Sequence, residues 1–338
     1  MPAVRTGRTL RRLAIVPVVA ALALSAACGP GAPSDEGGGG GGEDGSSKLR
    51  IGVKATDSDA QIYYAKELGY FEDAGLNVEV RQISDGAAIA SGVVSKSLEI
   101  GSANVTSVAT SAAEGLPFVF LAPGSMYDES GPISASLVVP KDSKVKSAAD
   151  LKGKTVAVNG LKNITDLAVK SWVDKNGGDS KSLKFIEFPF PQMPAALDQG
   201  KVDAALILEP ALSKAVGNCC RVLGNAYGGI SKRFMTSGWV TTKEWSEKNP
   251  EQAKKFSEVM AKTAAWANKE ENHERSAEIL VKNLEIEEKT AANMKRAIYG
   301  ETLEAGLIQP QIDVGVKYDV VTKKVDAKDL ISTAVTSK

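Results

Sequence analysis

Near its start the chain alternates two hydrophobic periods, and this constrains the fold more than any other feature. "KLRIGVKA" (48–55) sets Leu49, Ile51 and Val53 on one face at period two, and "LNVEVRQI" (76–83) does the same with Leu76, Val78 and Val80. Between them "DAQIYYAKELGYFEDAG" (59–75) spaces Ile62, Ala65 and Leu68 at the helical period, with Gly75 placed to end the helix. A strand, a helix and a second strand require a parallel pair with a right-handed crossover, so the chain builds an α/β layer. The rhythm returns in "KTVAVNG" (154–160), a helix over 165–175, "SLKFIEF" (182–188), a helix near Ala195 and the apolar strand "DAALIL" (203–208). "KSLEIG" (96–101) and "GKVDAA" (200–205) each follow a helix and open a strand, which points to two similar α/β lobes.

The last hundred residues read as helices. "NPEQAKKFSEVMAKTAAWANKE" (249–270) has Asn249 at the N-cap position, Pro250 at the first helical position, and Phe256, Val259, Met260 and Thr263 on one face. Further helices through 274–286 and 287–300 are expected to pack behind the first lobe.

Before Lys48 the composition changes completely. Arg5, Arg8, Arg11 and Arg12 precede fifteen uncharged residues, 13–27, which is the pattern of a secretory leader. The small residues Ser25, Ala26 and Ala27 before Cys28 resemble the lipobox of bacterial lipoproteins, in which the cysteine becomes an acylated N-terminus. Ordinary cleavage after Ala27 is the alternative. The segment 28–47 contains six consecutive glycines among Ser, Asp and Glu, a composition that reads as a tether.

Charge and reactive groups narrow the function. The chain carries 41 basic and 41 acidic residues, which argues against a nucleic-acid binder. Beyond Cys28 the only cysteines are the neighbours Cys219 and Cys220, open to a vicinal disulfide or to two thiols. His273 is the only histidine and lies in the charged run "KEENHERS", so a Ser-His-Asp type of catalysis and a histidine-rich metal site are not expected. "GVKATDSDAQ" after the first strand has neither Rossmann nor P-loop spacing. What remains is a set of short polar turns at strand ends: "KATDSDAQ", "SDGAA" and "SANVTS" in the first half, "NGLKNITD" and "ILEPA" in the second. Ligands of open α/β sheets bind at such ends.

"YYAKELGYFEDAGLNVEV" (63–80), "AAEGLPFVFLAP" (112–123), "VVPKDSKVKSAADLKGKTVAV" (138–158) and "AALDQGKVDAALILEPALSKA" (195–215) occur in the order of a known family. The chain from about 48 to 305 resembles the SsuA/TauA-type periplasmic binding proteins for sulfonates, taurine, nitrate and thiamine-pyrimidine precursors. The resemblance implies a type II periplasmic-binding-protein fold: two α/β lobes, a ligand cleft between them, and two interlobe crossovers, expected near 136–139 and 236–240. Lobe 1 would comprise 48–137 and 238–338, and lobe 2 would comprise 138–237, after a leader at 1–27 and a lipidated tether at 28–47.

The implied function is the lipid-anchored, extracytoplasmic solute-binding subunit of an ABC importer. It would act as a monomer, deliver a small molecule to a permease and its ATPase, and use no cofactor, metal or nucleic acid. Alternatives are a tethered sensing receptor and an enzyme like the thiamine-pyrimidine synthases. Carried over by position, the ligand-binding residues are Thr56, Asp57, Ser58 and Gln61; Gly86 and Ala87; Ser102 and Asn104; and Asn159, Asn163, Thr165 and Glu209. No catalytic residue is expected. Around these turns Asp57, Asp59, Asp85, Asp166 and Glu209 outnumber Lys54 and Lys162, which favours a neutral or cationic heteroaromatic ligand over a simple sulfonate.

Overall fold

The computed structural model describes residues 48–335. The expected leader, Cys28 and tether lie outside the described residues.

The chain begins with β1 (Leu49–Val53), α1 (Gln61–Glu67), α2 (Tyr70–Asp73), β2 (Val78–Gln82), α3 (Gly86–Val94), β3 (Ile100–Asn104), α4 (Val105–Ala113) and β4 (Phe118–Pro123). The single helix expected over 59–75 is two, because Gly69 turns left-handed (φ 72°) between them. After β5 (Ser125–Asp128) come β6 (Ala135–Pro140), β7 (Thr155–Val158), α5 (Ile164–Lys175), β8 (Lys184–Glu187), α6 (Met193–Asp198), β9 (Ala204–Leu208), α7 (Ala211–Asn218) and β10 (Cys220–Gly224). The return runs through β11 (Arg233–Met235) and β12 (Ser237–Thr242). It continues as α8 (Lys243–Lys248), α9 (Pro250–Ala267), α10 (His273–Leu284), α11 (Glu288–Asn293), β13 (Ile298–Tyr299) and α12 (Ala305–Lys317).

Two five-stranded sheets result, in the orders β2-β1-β3-β12-β4 and β8-β7-β9-β6-β10. In each, four strands run one way and the fourth in order, β12 or β6, runs against both neighbours. The weak repeat in the sequence is real in three dimensions. Glu99 opens β3, and its carboxylate accepts the backbone N–H of Arg50 at 2.7 Å, while its own N–H donates to Arg50 O at 2.9 Å. Asp203 opens β9 and does the same to Thr155, at 2.8 Å and 2.8 Å. One acidic side chain at the same place in each lobe fixes the register between two neighbouring parallel strands, β1 with β3 and β7 with β9.

The crossovers lie earlier in the chain than 136–139 and 236–240. Both of those stretches are sheet strands: β6 pairs wholly within the second sheet, and β12 within the first. The passages between lobes are made by β5 and β11, which pair antiparallel with Tyr127 opposite Phe234, and β13 adds a third strand on the other edge of β5. Their rings pack with Tyr227 into an aromatic cluster, with centroids 5.3 to 6.0 Å apart.

The second lobe has one core, with Leu137, Val156, Val169 and Ile207 at its centre. The first sheet is covered on both faces: α1, α9 and α10 pack on one through Ile62, Phe256 and Leu280, and α3, α4 and α12 on the other through Ile89, Val108 and Ile312. The helices over 249–286 thus pack behind the first lobe as expected, whereas the one expected over 287–300 ends at Asn293 and Ile298–Tyr299 forms a strand beside β5. Asn249 occupies the cap position of α9 but does not cap it: its amide donates back to Trp245 O at 2.8 Å. Cys219 and Cys220 are joined to each other in a vicinal disulfide. No described helix is long and apolar enough to cross a membrane.

Candidate functional site

The C-terminal ends of β1, β3, β7 and β9 converge where the lobes meet, and they border a partly open cavity of about 50 Å³. The first lobe supplies a polar wall of Lys54, Thr56, Ser58, Asp59 and Asn104, and the hinge strands add Ser125, Thr236 and Ser237. The second lobe supplies Asn159 and Thr165 together with the apolar Ile164, Phe190, Leu208 and Tyr227. One side of the cavity therefore forms hydrogen bonds and the other offers rings and branched chains.

Lys54 is the first residue after β1. Its Nζ donates to Asp59 Oδ2 at 2.9 Å and to Ser102 Oγ at 2.8 Å. Ser102 Oγ donates in turn to the same Oδ2 at 2.6 Å, as does the Lys54 backbone N–H at 2.9 Å. The lysine side chain is 18% exposed and the aspartate 2%. Such a pair persists inside a protein because each charge meets its opposite and further hydrogen bonds. Thr56 Oγ1, by contrast, is buried without any protein partner, and an unmet hydroxyl beside a cavity is a group left for a ligand or a water.

Three helix N-termini at this end are already capped by side chains, whereas α1, preceded by Asp57 and Asp59, has no side-chain cap. Asn104 caps α4 by accepting Ser107 N–H at 2.9 Å, Gln311 Oε1 accepts Thr106 N–H, and Thr236 O accepts Val105 N–H. At α5, Asn163 and Asp166 form a reciprocal capping box, and Asp166 also pairs with Lys170 at 2.8 Å. Asp85 caps α3 through Ala87 N–H.

Beside the cavity the lobes touch directly: Asp57 N–H donates to Glu209 O at 3.2 Å. Both side chains turn away from the cavity toward the segment before β13. Asp57 Oδ2 accepts Ala297 N–H at 2.5 Å, and Tyr299 Oη donates to Asp57 O. Burial pushes the Asp57 carboxyl up to about 6, against the pull of Ala297 N–H and the Arg296 guanidinium. Burial also raises Glu209, opposed by hydrogen bonds from Ser213.

Of the twelve expected residues, Thr56, Ser58, Asn104, Asn159 and Thr165 line the cavity together. Ser102 reaches it through Lys54, and Asn163 holds Thr165 in place, accepting its hydroxyl at 2.8 Å. The other five do not meet there. Gln61 is fully buried, spanning Met260 O and the Trp239 indole N–H at 2.8 Å each, so its amide serves the core. Gly86 and Ala87 are exposed at the start of α3, and Asp57 and Glu209 close the edge. The expected surplus of acid is also absent from the cavity wall, where Lys54 and Asp59 balance one to one; Asp57, Asp85, Asp166 and Glu209 are committed elsewhere. This removes the argument for a cationic ligand.

Lys54 could have been found from the sequence, since it follows β1 as Asn159 follows β7. Phe190 and Tyr227 could not: they come from irregular segments that only the folded second lobe brings to the cleft.

Comparison with known proteins agrees with this architecture. The family model described as NMT1/THI5 like matches residues 58–273, well over half of the chain. The chain belongs to that family. A taurine-binding periplasmic protein of Escherichia coli K12 is 25% identical over 193 residues, 56% of this chain and 57% of that protein. A putative thiamine biosynthesis protein of Haemophilus influenzae is 30% identical over 147 residues, 44% of this chain and 45% of that protein. The chain thus spans about half the length of the curated relatives it matches. The crystal structure of the periplasmic aliphatic sulphonate binding protein SsuA from Escherichia coli superposes with a TM-score of 0.68 at 20% identity, covering 84% of this chain and 97% of that one. The fold is that of the periplasmic binding proteins.

Proposed function

We propose that this protein is the extracytoplasmic solute-binding subunit of an ATP-driven importer, which captures a small molecule between its lobes and passes it to a membrane permease. One observation carries the reading: a partly open cleft between the lobes, polar on the first-lobe side and with rings and branched chains on the other, lined by Thr56, whose buried hydroxyl has no hydrogen-bond partner among the described residues. A cleft of this kind is made to surround a solute, and the paired hinge strands allow the walls to part. The names of the taurine-binding and sulphonate-binding relatives support the same class of function.

Binding is preferred to catalysis, the reading that the thiamine-biosynthesis name would suggest. The cavity wall has hydroxyls and amides but no histidine or cysteine to pair with them, and His273 lies on α10 beside Arg296. The chain would work as a monomer held to the outer face of the membrane through acylated Cys28, with the glycine-rich segment as its tether. The test is to purify the full chain under native conditions, denature it, and identify released solutes by mass spectrometry. One compound near one equivalent is expected, and recovery should fall when Tyr227 is replaced by Ala. If no compound is released, and none is retained saturably from a metabolite extract, the protein is not a solute receptor.

A further inference from the structure

The bonding already made inside the cavity restricts what can enter it. Four features of the wall bear on this. The Lys54 ammonium has two of its three N–H groups committed, to Asp59 and to Ser102, and its charge is matched by that aspartate. All the hydrogen bonds to Asp59 fall on Oδ2, so Oδ1 has no donor among the described residues. The amide oxygen of Asn104 is engaged by Ser107 N–H, and Asn159 Oδ1 shares the single proton of the Thr165 hydroxyl with Asn163 Oδ1, while the NH2 groups of Asn104 and Asn159 have no acceptor among the described residues. Thr56 Oγ1 is open in both senses, as donor and as acceptor. The unmet groups are therefore mixed: donors from Lys54, Asn104 and Asn159, an acceptor at Asp59 Oδ1, and a hydroxyl at Thr56.

Resting on the solute-binding reading above, we propose that the cleft selects a small uncharged solute with both hydrogen-bond donors and acceptors, the chemistry of amides, ureas and nitrogen heterocycles, and excludes oxyanions. An oxyanion offers only acceptors. It would face the bare Oδ1 of a buried carboxylate, and little at the helix N-termini offsets its charge: α3, α4 and α5 are capped by Asp85, Asn104 with Gln311, and Asn163 with Asp166, while α1, which has no side-chain cap, is preceded by the carboxylates of Asp57 and Asp59. A cation offers only donors and would face Lys54. A zwitterion such as taurine carries its charges at opposite ends, whereas Lys54 and Asp59 stand side by side on one wall. Its far charge would be desolvated against Phe190, Leu208 and Tyr227. An uncharged amide or ring can donate to Asp59, accept from Lys54 and lay its flat face on those same side chains.

The test uses the full chain and its Asp59→Asn variant in thermal-shift and calorimetric titrations. The probes are nitrate, methanesulfonate and taurine on one side, and acetamide, urea, nicotinamide and cytosine on the other. The wild type is expected to bind at least one uncharged probe and none of the charged ones. Asp59→Asn, which leaves the Lys54 charge uncompensated, is expected to gain nitrate or methanesulfonate affinity by about tenfold or more. Binding of any charged probe by the wild type overturns the selectivity and leaves the solute-binding function standing. Should Asp59→Asn not fold, the wild-type panel decides alone. Silence of both proteins toward every probe overturns the selectivity as well. The solute-binding reading then fails only if native protein also releases no compound.

Discussion

Replacing Asp57 by Asn should change how stability depends on pH, by an amount that follows from its burial. The carboxyl is 1% exposed and titrates near 6 in the folded protein, against its ordinary 3.8. A group raised on folding holds its proton more tightly in the native state, so its contribution is fully present below the unfolded pKa and is lost as pH rises through about 6. The gap of about two pK units corresponds to roughly 3 kcal/mol in full, of which about 2 kcal/mol falls between pH 4 and pH 8, because the unfolded carboxyl is already more than half ionised at pH 4. Asparagine keeps an oxygen for Ala297 N–H and has no charge to desolvate. The difference in stability between Asp57→Asn and wild type should therefore shift in favour of the variant by about 2 kcal/mol across that range. Urea unfolding at half-unit steps from pH 4 to 8 measures it directly. Glu209 is coupled to the same site, so its Gln variant belongs in the comparison. Parallel curves for wild type and Asp57→Asn would show that the carboxyl titrates as it does in water, and the account of the buried lobe contact would be wrong.

Glu99 should behave in the opposite sense. Burial pushes its carboxyl up, but the side-chain and backbone bonds from Arg50 outweigh this and hold it below its usual value. Glu99→Gln should cost about 1 kcal/mol at pH 7, a loss that shrinks as acid protonates the wild-type carboxylate, read in the same urea series. Trp239→Phe should cost about 1–3 kcal/mol, because Gln61 Oε1 loses its indole donor inside the core. Gly229→Ala should cost about 3 kcal/mol by calorimetry: a Cβ there would stand 2.4 Å from the backbone nitrogen of Trp172.

Much of the layer structure was legible in the sequence because period-two strands and period-3.6 helices announce themselves within a few residues. Even the repeat at 96–101 and 200–205 proved meaningful, through the matched carboxylates of Glu99 and Asp203. The hinge was misplaced because β5 and β11 are short and pair only with partners distant in the chain. Residues placed by their position at a strand end do share one cavity wall, as Thr56, Asn104 and Asn159 do. Gln61 does not, because one helical turn more directs its side chain into the core. The excess of acid was misread for a related reason: sequence counts carboxylates but cannot show that Asp85 and Asp166 cap helices.

The strand exchange at the hinge also orders events during synthesis. All five strands of the second sheet come from 135–224, a continuous stretch, whereas the first sheet lacks β12 until residues 237–242 have been made. On the ribosome, the lobe that begins first must therefore finish second. Its strands β3 and β4 wait with open edges while the whole of the other lobe emerges. That interval exposes unpaired strands to other chains, and a nascent chain that has emerged only as far as residue 235 should hold one complete lobe, its core closed by Tyr227, Ile230 and Phe234, and one that is a strand short.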